Sequence, residues 1–326
     1  MTKTNRISII AATAVMLASC GSSKEVVYNW DKMAKPTETV YLYPEGQKVD
    51  KGIIEDGVTV TLGPGMDNEF RGGETVTEKG NCKGTGDEAR MILYIPKKCN
   101  GQMVIICPGG GYSNTSAKNE GTKVAQWLCE RGIAACNLIY RMPYKTHPVV
   151  PLTDVQNAFR YCRFHAEEWG VSQIGVMGFS AGGHLAASAS TLYSDAITRP
   201  DFSILVYPVI SMEDGVTHQG TKNNLTNDGK DKNLVEHFTL ENRVNAQTPP
   251  AILLLSGDDK AVPPENSIRY FKKLRENGVQ GEMYVLPFGG HGWGFRTDDN
   301  EKLTDGTREL FFHALDNFLY RMSLNK

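Results

Sequence analysis

From Met103 onward the chain alternates between short apolar runs and segments whose apolar residues recur every three or four positions. Met103–Cys107 is continuously apolar, the pattern of a strand buried on both faces, and it ends in Pro108-Gly109-Gly110-Gly111-Tyr112. Gly121–Arg131 follows, with Val124, Trp127 and Leu128 at helical spacing, and stops at Gly132. Ile133–Tyr140 reads as the next strand. Leu152–Trp169 places Val155, Phe159, Cys162, Ala166 and Trp169 on one helical face and stops at Gly170. The alternation continues with strands at Ile174–Met177, Phe202–Ile210, Ala251–Leu255 and Glu282–Leu286, and helices at Glu265–Asn277 and Arg308–Met322. A polar excursion, Ser211–Lys232, and a short helix near Leu234–Phe238 interrupt it. Strands and helices joined by short links predict one α/β domain, a mostly parallel central sheet with helices on both faces.

The first hundred residues are patterned differently. Lys3 and Arg6 precede an apolar run, Ile7–Ala18, and then Leu17-Ala18-Ser19-Cys20 puts small residues before a cysteine. The run falls short of the roughly 20 apolar residues that span a bilayer. It resembles a bacterial lipoprotein signal, which implies removal of residues 1–19 and a lipid on Cys20 that anchors the protein to a membrane of the cell envelope, facing the periplasm or exported to the cell surface. Residues 20–39 are polar and mixed and read as a tether, leaving 40–326 as the folded domain. Val40–Tyr43, Val58–Leu62 and Arg90–Ile95 read as strands, with Gly- and Asn-rich loops between Gly63 and Gly86.

Composition narrows the partners. The formal net charge of -2, with basic and acidic residues interspersed, offers no stripe to neutralise phosphates, which argues against nucleic acid. No C-x-x-C, H-E-x-x-H or tight His/Cys cluster points to a metal, and no cofactor is expected. Cys107, Cys136 and Cys162 fall in core-patterned runs and read as buried small hydrophobes, while Cys82 and Cys99, which flank the expected strand Ala89–Ile95, are the pair to test for a disulfide.

The chemistry concentrates at the ends of the expected strands. Gly178-Phe179-Ser180-Ala181-Gly182 is a G-x-S-x-G turn between strand and helix, which forces the serine hydroxyl clear of the sheet. A serine needs a base, a group to orient that base, and donors for the oxyanion that forms. His291 lies in Gly289-Gly290-His291-Gly292-Trp293-Gly294, a setting that core packing does not explain. His184, one helical turn beyond Ser180, points away from the strand edge and is expected to be a supporting or packing residue. Asp258 and Asp259 both follow the strand Ala251–Leu255 and are alternatives for the acid. Gly110 and Gly111, side-chain-free after a central strand, can aim backbone N–H groups above the serine together with that of Ala181. A dinucleotide loop is excluded on detail: Asn114 stands where a third glycine should be, and the next strand ends in Arg141 rather than an acidic residue. Tyr112 and Trp293, each next to one of these glycine motifs, are expected to wall the acyl or leaving-group pocket.

Pro108–Tyr112, Gly178–His184, Asp259–Pro263 and Gly289–Gly294, in this order, resemble the motifs of the α/β-hydrolase superfamily, and within it bacterial acetyl xylan esterase-like carbohydrate esterases. The resemblance runs from about Met103 to the C-terminus and departs from the usual His-Gly-Gly-Gly pattern at Pro108. It implies the α/β-hydrolase fold, and its D-x-x-V-P turn favours Asp259 over Asp258. Ser180, Asp259 and His291 would form the triad of a serine esterase that deacetylates xylan or related oligosaccharides through an acyl-enzyme. Two other functions fit parts of the pattern. A prolyl-oligopeptidase-type peptidase uses the same triad, but the stretch before Met103 has no repeats for a propeller. A non-catalytic, carbohydrate-binding envelope lipoprotein would have no need of three such groups.

Overall fold

The computed structural model describes residues 29–42, 73–145, 147–295 and 307–324. Its strands are Glu38–Tyr41 (β1), Thr75–Val76 (β2), Cys82–Lys83 (β3), Arg90–Tyr94 (β4), Gln102–Cys107 (β5), Ala134–Ile139 (β6), Gln173–Phe179 (β7), Ser203–Val206 (β8), Ala251–Ser256 (β9) and Gly281–Leu286 (β10). The α-helices are Lys123–Cys129 (α1), Val150–His165 (α2), Ser180–Thr191 (α3), Gln219–Leu225 (α4), Lys232–His237 (α5), Glu265–Glu276 (α6) and Thr307–Leu324 (α7). Eight strands form one sheet in the order β1-β4-β6-β5-β7-β8-β9-β10. β4 is antiparallel to both β1 and β6, and every pairing from β6 to β10 is parallel. This is the mostly parallel sheet of an α/β-hydrolase fold.

The continuous apolar runs are explained by the helices on each face. Met103, Ile105 and Cys107 of β5 pack in one core with Val155 and Phe159 of α2, Leu185 of α3 and Tyr270 and Leu274 of α6. Val104 and Ile106 point the other way, into a core with Trp127 and Leu128 of α1 and Phe311, Leu315 and Phe318 of α7. β5 and β7 are therefore buried along their whole length. Because β5, β7, β9 and β10 run parallel, the four segments carrying the candidate chemistry emerge at one edge of the sheet.

Several expectations change. The tether does not extend to residue 39: a 3₁₀ turn at Trp30–Lys32 and β1 lie on the domain, where Gln126 donates from Nε2 to the Trp30 and Ala34 carbonyls at 3.1 and 3.0 Å. The strand expected over Phe202–Ile210 stops at Val206, because Tyr207 turns the backbone at φ 35°. Part of the loop region before Gly86 pairs as the short ladder β2–β3, and part of the polar excursion folds as α4. Residues 1–19, Cys20 and the expected strand Val58–Leu62 lie outside the described residues.

The pair named for a disulfide does not bond. Cys82 and Cys99 are both free thiols. Cys82 is bridged through its backbone to Thr115, beyond the carboxyl end of β5, whereas Cys99 precedes that strand. A strand of that length separates them by about 20 Å, against the roughly 7 Å limit between Cα atoms that a disulfide tolerates.

Candidate active site

The turn after β7 holds Ser180 at φ 53°, a left-handed conformation that costs a residue with a side chain on the order of 1–3 kcal/mol. The surrounding structure enforces it. The Ser180 carbonyl accepts the Val209 N–H at 3.0 Å, and the backbones around the serine approach so closely that side chains are excluded. A Cβ on Gly178 would meet the Gly182 oxygen at 2.0 Å, and one on Gly182 would meet the Cys107 oxygen at 2.1 Å. The two flanking glycines of the motif are thus steric requirements.

His291 reaches Ser180 from the segment after β10. Its Nε2 lies 2.8 Å from Ser180 Oγ and its Nδ1 lies 2.6 Å from Asp259 Oδ2. With Nδ1 donating to the carboxylate, Nε2 is left as the acceptor for the serine proton. Asp259 is buried, and its other oxygen accepts the N–H groups of Ala261 and Val262, both at 2.9 Å. Asp258 turns outward and accepts the Gly290 N–H at 2.8 Å. The two adjacent aspartates therefore have different tasks: one faces the imidazole, the other ties the histidine loop.

The loop after β5 completes the site. The N–H groups of Gly110, Gly111 and Ala181 donate to no acceptor among the described residues, and all three lie at the end of the sheet beside Ser180. Gly110 adopts φ 142°, and a Cβ there would meet the Asn114 oxygen at 2.0 Å. The carbonyls are held from below: Tyr140 Oη donates to the Pro108 oxygen at 2.7 Å, and Asn224 Nδ2 donates to that of Gly111 at 2.8 Å. The departure at Pro108 thus leaves the loop anchored through a tyrosine.

Tyr112 and Trp293 require correction. Neither walls an open pocket, since their exposures are 3% and 2%. Tyr112 Oη lies 3.0 Å from His184 Nδ1, and the Trp293 indole donates to Ser256 Oγ at 2.8 Å. Each polar tip finds its partner in the interior, which draws the ring in after it. His184 is a supporting residue, with Nε2 3.0 Å from the Phe238 carbonyl and Nδ1 available to the tyrosine hydroxyl. Burial pushes its pKa down to about 4, so the ring is neutral with its proton on Nε2.

Two important residues are not evident from motifs. Glu120 is buried at 6% exposure, where Oε2 accepts the Gly109 N–H and Oε1 accepts the Tyr207 hydroxyl, each at 2.8 Å. Tyr207 in turn sets its ring edge-on to His291 and to Trp293, with centroids 4.8 and 4.9 Å apart. Glu120 sits in the π-helical turn Lys118–Thr122 that leads into α1, and no sequence motif marks it. His218 is the second. It caps α4 beside Gly111, within electrostatic reach of His291 and Asp259.

A mostly parallel sheet with a strained serine after one strand, an aspartate and a histidine after two others, and backbone N–H groups beside the serine that donate to no acceptor among the described residues defines an α/β-hydrolase. Comparison with known proteins gives the branch. The BD-FAE family model matches residues 91–203. The acetylxylan esterase of Xylanibacter ruminicola is 39% identical over 216 residues, 64% of this chain and 45% of that protein. Endo-1,4-beta-xylanase B of Butyrivibrio fibrisolvens is 32% identical over 212 residues, 60% of this chain and 33% of that protein. The chain thus spans less than half the length of these curated relatives. The crystal structure of an acetyl ester-xyloside bifunctional hydrolase from Caldicellulosiruptor lactoaceticus superposes with a TM-score of 0.60 at 35% identity, covering 70% of this chain and 88% of that one. The chain belongs to the acetyl xylan esterase-like carbohydrate esterases of the α/β-hydrolase superfamily.

Proposed function

We propose that the chain is a serine carboxylic ester hydrolase that removes acetyl groups from xylan or related oligosaccharides. The observation that carries the reading is the continuous line from Ser180 Oγ through His291 to buried Asp259, at 2.8 and 2.6 Å. Ser180 Oγ attacks the acetyl carbonyl carbon as His291 Nε2 takes its proton, and Asp259 orients the ring and stabilises the imidazolium. The N–H groups of Gly110, Gly111 and Ala181 receive the oxyanion. The carbon–oxygen bond to the sugar then breaks, and His291 returns the proton to the departing alcohol. Water, deprotonated by the same histidine, then attacks the acetyl-serine; the bond between the acetyl carbon and Ser180 Oγ breaks, His291 returns the proton to Oγ, and acetate leaves.

The names of the relatives support xylan as the polymer, and the signal pattern before Cys20 supports a lipid-anchored protein of the cell envelope. Acetate release from acetylated xylan, with p-nitrophenyl acetate in parallel, tests the activity on wild type and Ser180→Ala. Loss of both activities in the variant is expected, and equal rates would rule the serine mechanism out. For the anchor, Cys20→Ser should move the protein from the membrane to the soluble fraction, and an unchanged distribution counts against lipidation.

A further inference from the structure

The polar excursion that becomes α4 is built onto the oxyanion loop. Asn224 of α4 holds the Gly111 carbonyl at 2.8 Å, and a Cβ on Gly111 would stand only 3.6 Å from His218 Cε1. His218 is half-buried, and its Nδ1 accepts the Thr221 N–H at 3.2 Å while lying 2.9 Å from the Thr221 hydroxyl. A nitrogen that accepts a backbone N–H keeps its lone pair, so the neutral ring carries its proton on Nε2. Burial and the neighbouring His291 both depress the pKa of the ring, against an opposite pull from Asp259, which favours that neutral form. No acceptor among the described residues takes the Nε2–H. A fixed donor is thus left open beside the loop that would bind the ester carbonyl and near the histidine that would protonate the leaving alcohol.

We propose that His218 is a specificity-determining residue whose Nε2–H donates a hydrogen bond to a hydroxyl or ring oxygen of the sugar bearing the acetyl group. This rests on the serine esterase reading and names the part of the substrate that His218 selects. Once substrate displaces water from a half-buried donor, an alcohol with an oxygen in reach satisfies it, whereas an aryl or simple alkyl leaving group does not.

Two substitutions separate the donor from the cap. His218→Asn keeps an acceptor for the Thr221 N–H, since Asn is a favoured N-cap, but removes the Nε2 donor. His218→Gln sacrifices the cap and places an amide N–H near the position of Nε2. The readout is the ratio of kcat/KM on mono-acetylated xylobiose to kcat/KM on p-nitrophenyl acetate, with a thermal melt of each protein. His218→Asn should lower that ratio about fivefold to tenfold, the worth of one neutral hydrogen bond, and His218→Gln should bring it back to within about threefold of wild type. A ratio within about twofold of wild type in His218→Asn, or one as low in His218→Gln as in His218→Asn, overturns the inference. Equal rates for wild type and Ser180→Ala on both esters would instead overturn the esterase reading beneath it.

Discussion

Removing the Glu120 carboxylate should cripple turnover through Gly109 and Tyr207, the two groups it holds beside the site. Its two oxygens hold the Gly109 N–H and the Tyr207 hydroxyl at 2.8 Å each, in a site only 6% exposed. Hydrogen bonds to a charged acceptor contribute about 1.5–3 kcal/mol each, so Glu120→Ala forfeits about 3–6 kcal/mol gross. Relief from burying a carboxylate offsets part of this, and a net destabilisation of about 2–4 kcal/mol is expected. The kinetic effect should be larger than stability alone implies. Gly109 directly precedes the proposed oxyanion donors Gly110 and Gly111, and one misplaced oxyanion donor costs about 10²–10³ in kcat. Glu120→Ala should therefore lower kcat on p-nitrophenyl acetate about 100-fold, with a smaller change in KM. Tyr207→Phe keeps the Gly109 contact and should cost no more than about tenfold. Glu120→Gln retains one acceptor for Gly109 and should fall between wild type and the alanine variant. Steady-state kinetics with urea denaturation of each variant measure both effects. A folded Glu120→Ala protein with kcat within about threefold of wild type would show that the Gly109 loop keeps its place without the carboxylate.

The two aspartates after β9 should separate sharply. Asp259→Asn is expected to lower kcat about 10³–10⁴-fold by favouring the wrong imidazole tautomer, whereas Asp258→Asn loses the Gly290 contact and should cost less than about fivefold. Comparable losses would show that the acid is misassigned. His184 ties stability to pH: its pKa is about 4 in the fold and 6.5 in the unfolded chain, which therefore binds the extra proton between those values. The stabilisation, about 3 kcal/mol, is complete above pH 6.5 and is lost as pH falls toward 4. Urea midpoints across that window should fall more steeply for wild type than for His184→Gln, and parallel curves would exclude the effect. Asp154→Ala strips the fully buried Arg141 of its carboxylate, which now sits 2.5 Å from Nη2, and should destabilise by about 3–5 kcal/mol in urea titrations. A loss below 1 kcal/mol would contradict this.

What the sequence made legible follows from which constraints are local. The G-x-S-x-G turn could be read because strand, turn and helix are consecutive, and because Gly178 and Gly182 are forced by backbone contacts across that one turn. His291 stood out because glycines leave a histidine no packing explanation. The layers could be read from β5, whose alternate residues feed two different cores. Glu120 was hidden by chemistry, since a charged residue at a helix start ordinarily means solvent and only tertiary structure brings Gly109 and Tyr207 to it. Tyr112 and Trp293 misled for the opposite reason: their positions next to glycine motifs suggested a pocket wall, but hydrogen bonds to His184 and Ser256 turn them inward. His218 lay in a polar stretch whose periodicity is too short to announce α4, and its place beside Gly111 is a long-range contact.

The proposed nucleophile is Ser180, activated by His291. It is tested most directly by covalent labelling with a fluorophosphonate, followed by peptide mass spectrometry, in wild type, Ser180→Ala and His291→Ala. One label per chain is expected, on the peptide carrying Ser180, with none in Ser180→Ala and labelling slowed by orders of magnitude in His291→Ala. A label on another residue, or labelling of His291→Ala at the wild-type rate, would contradict this assignment.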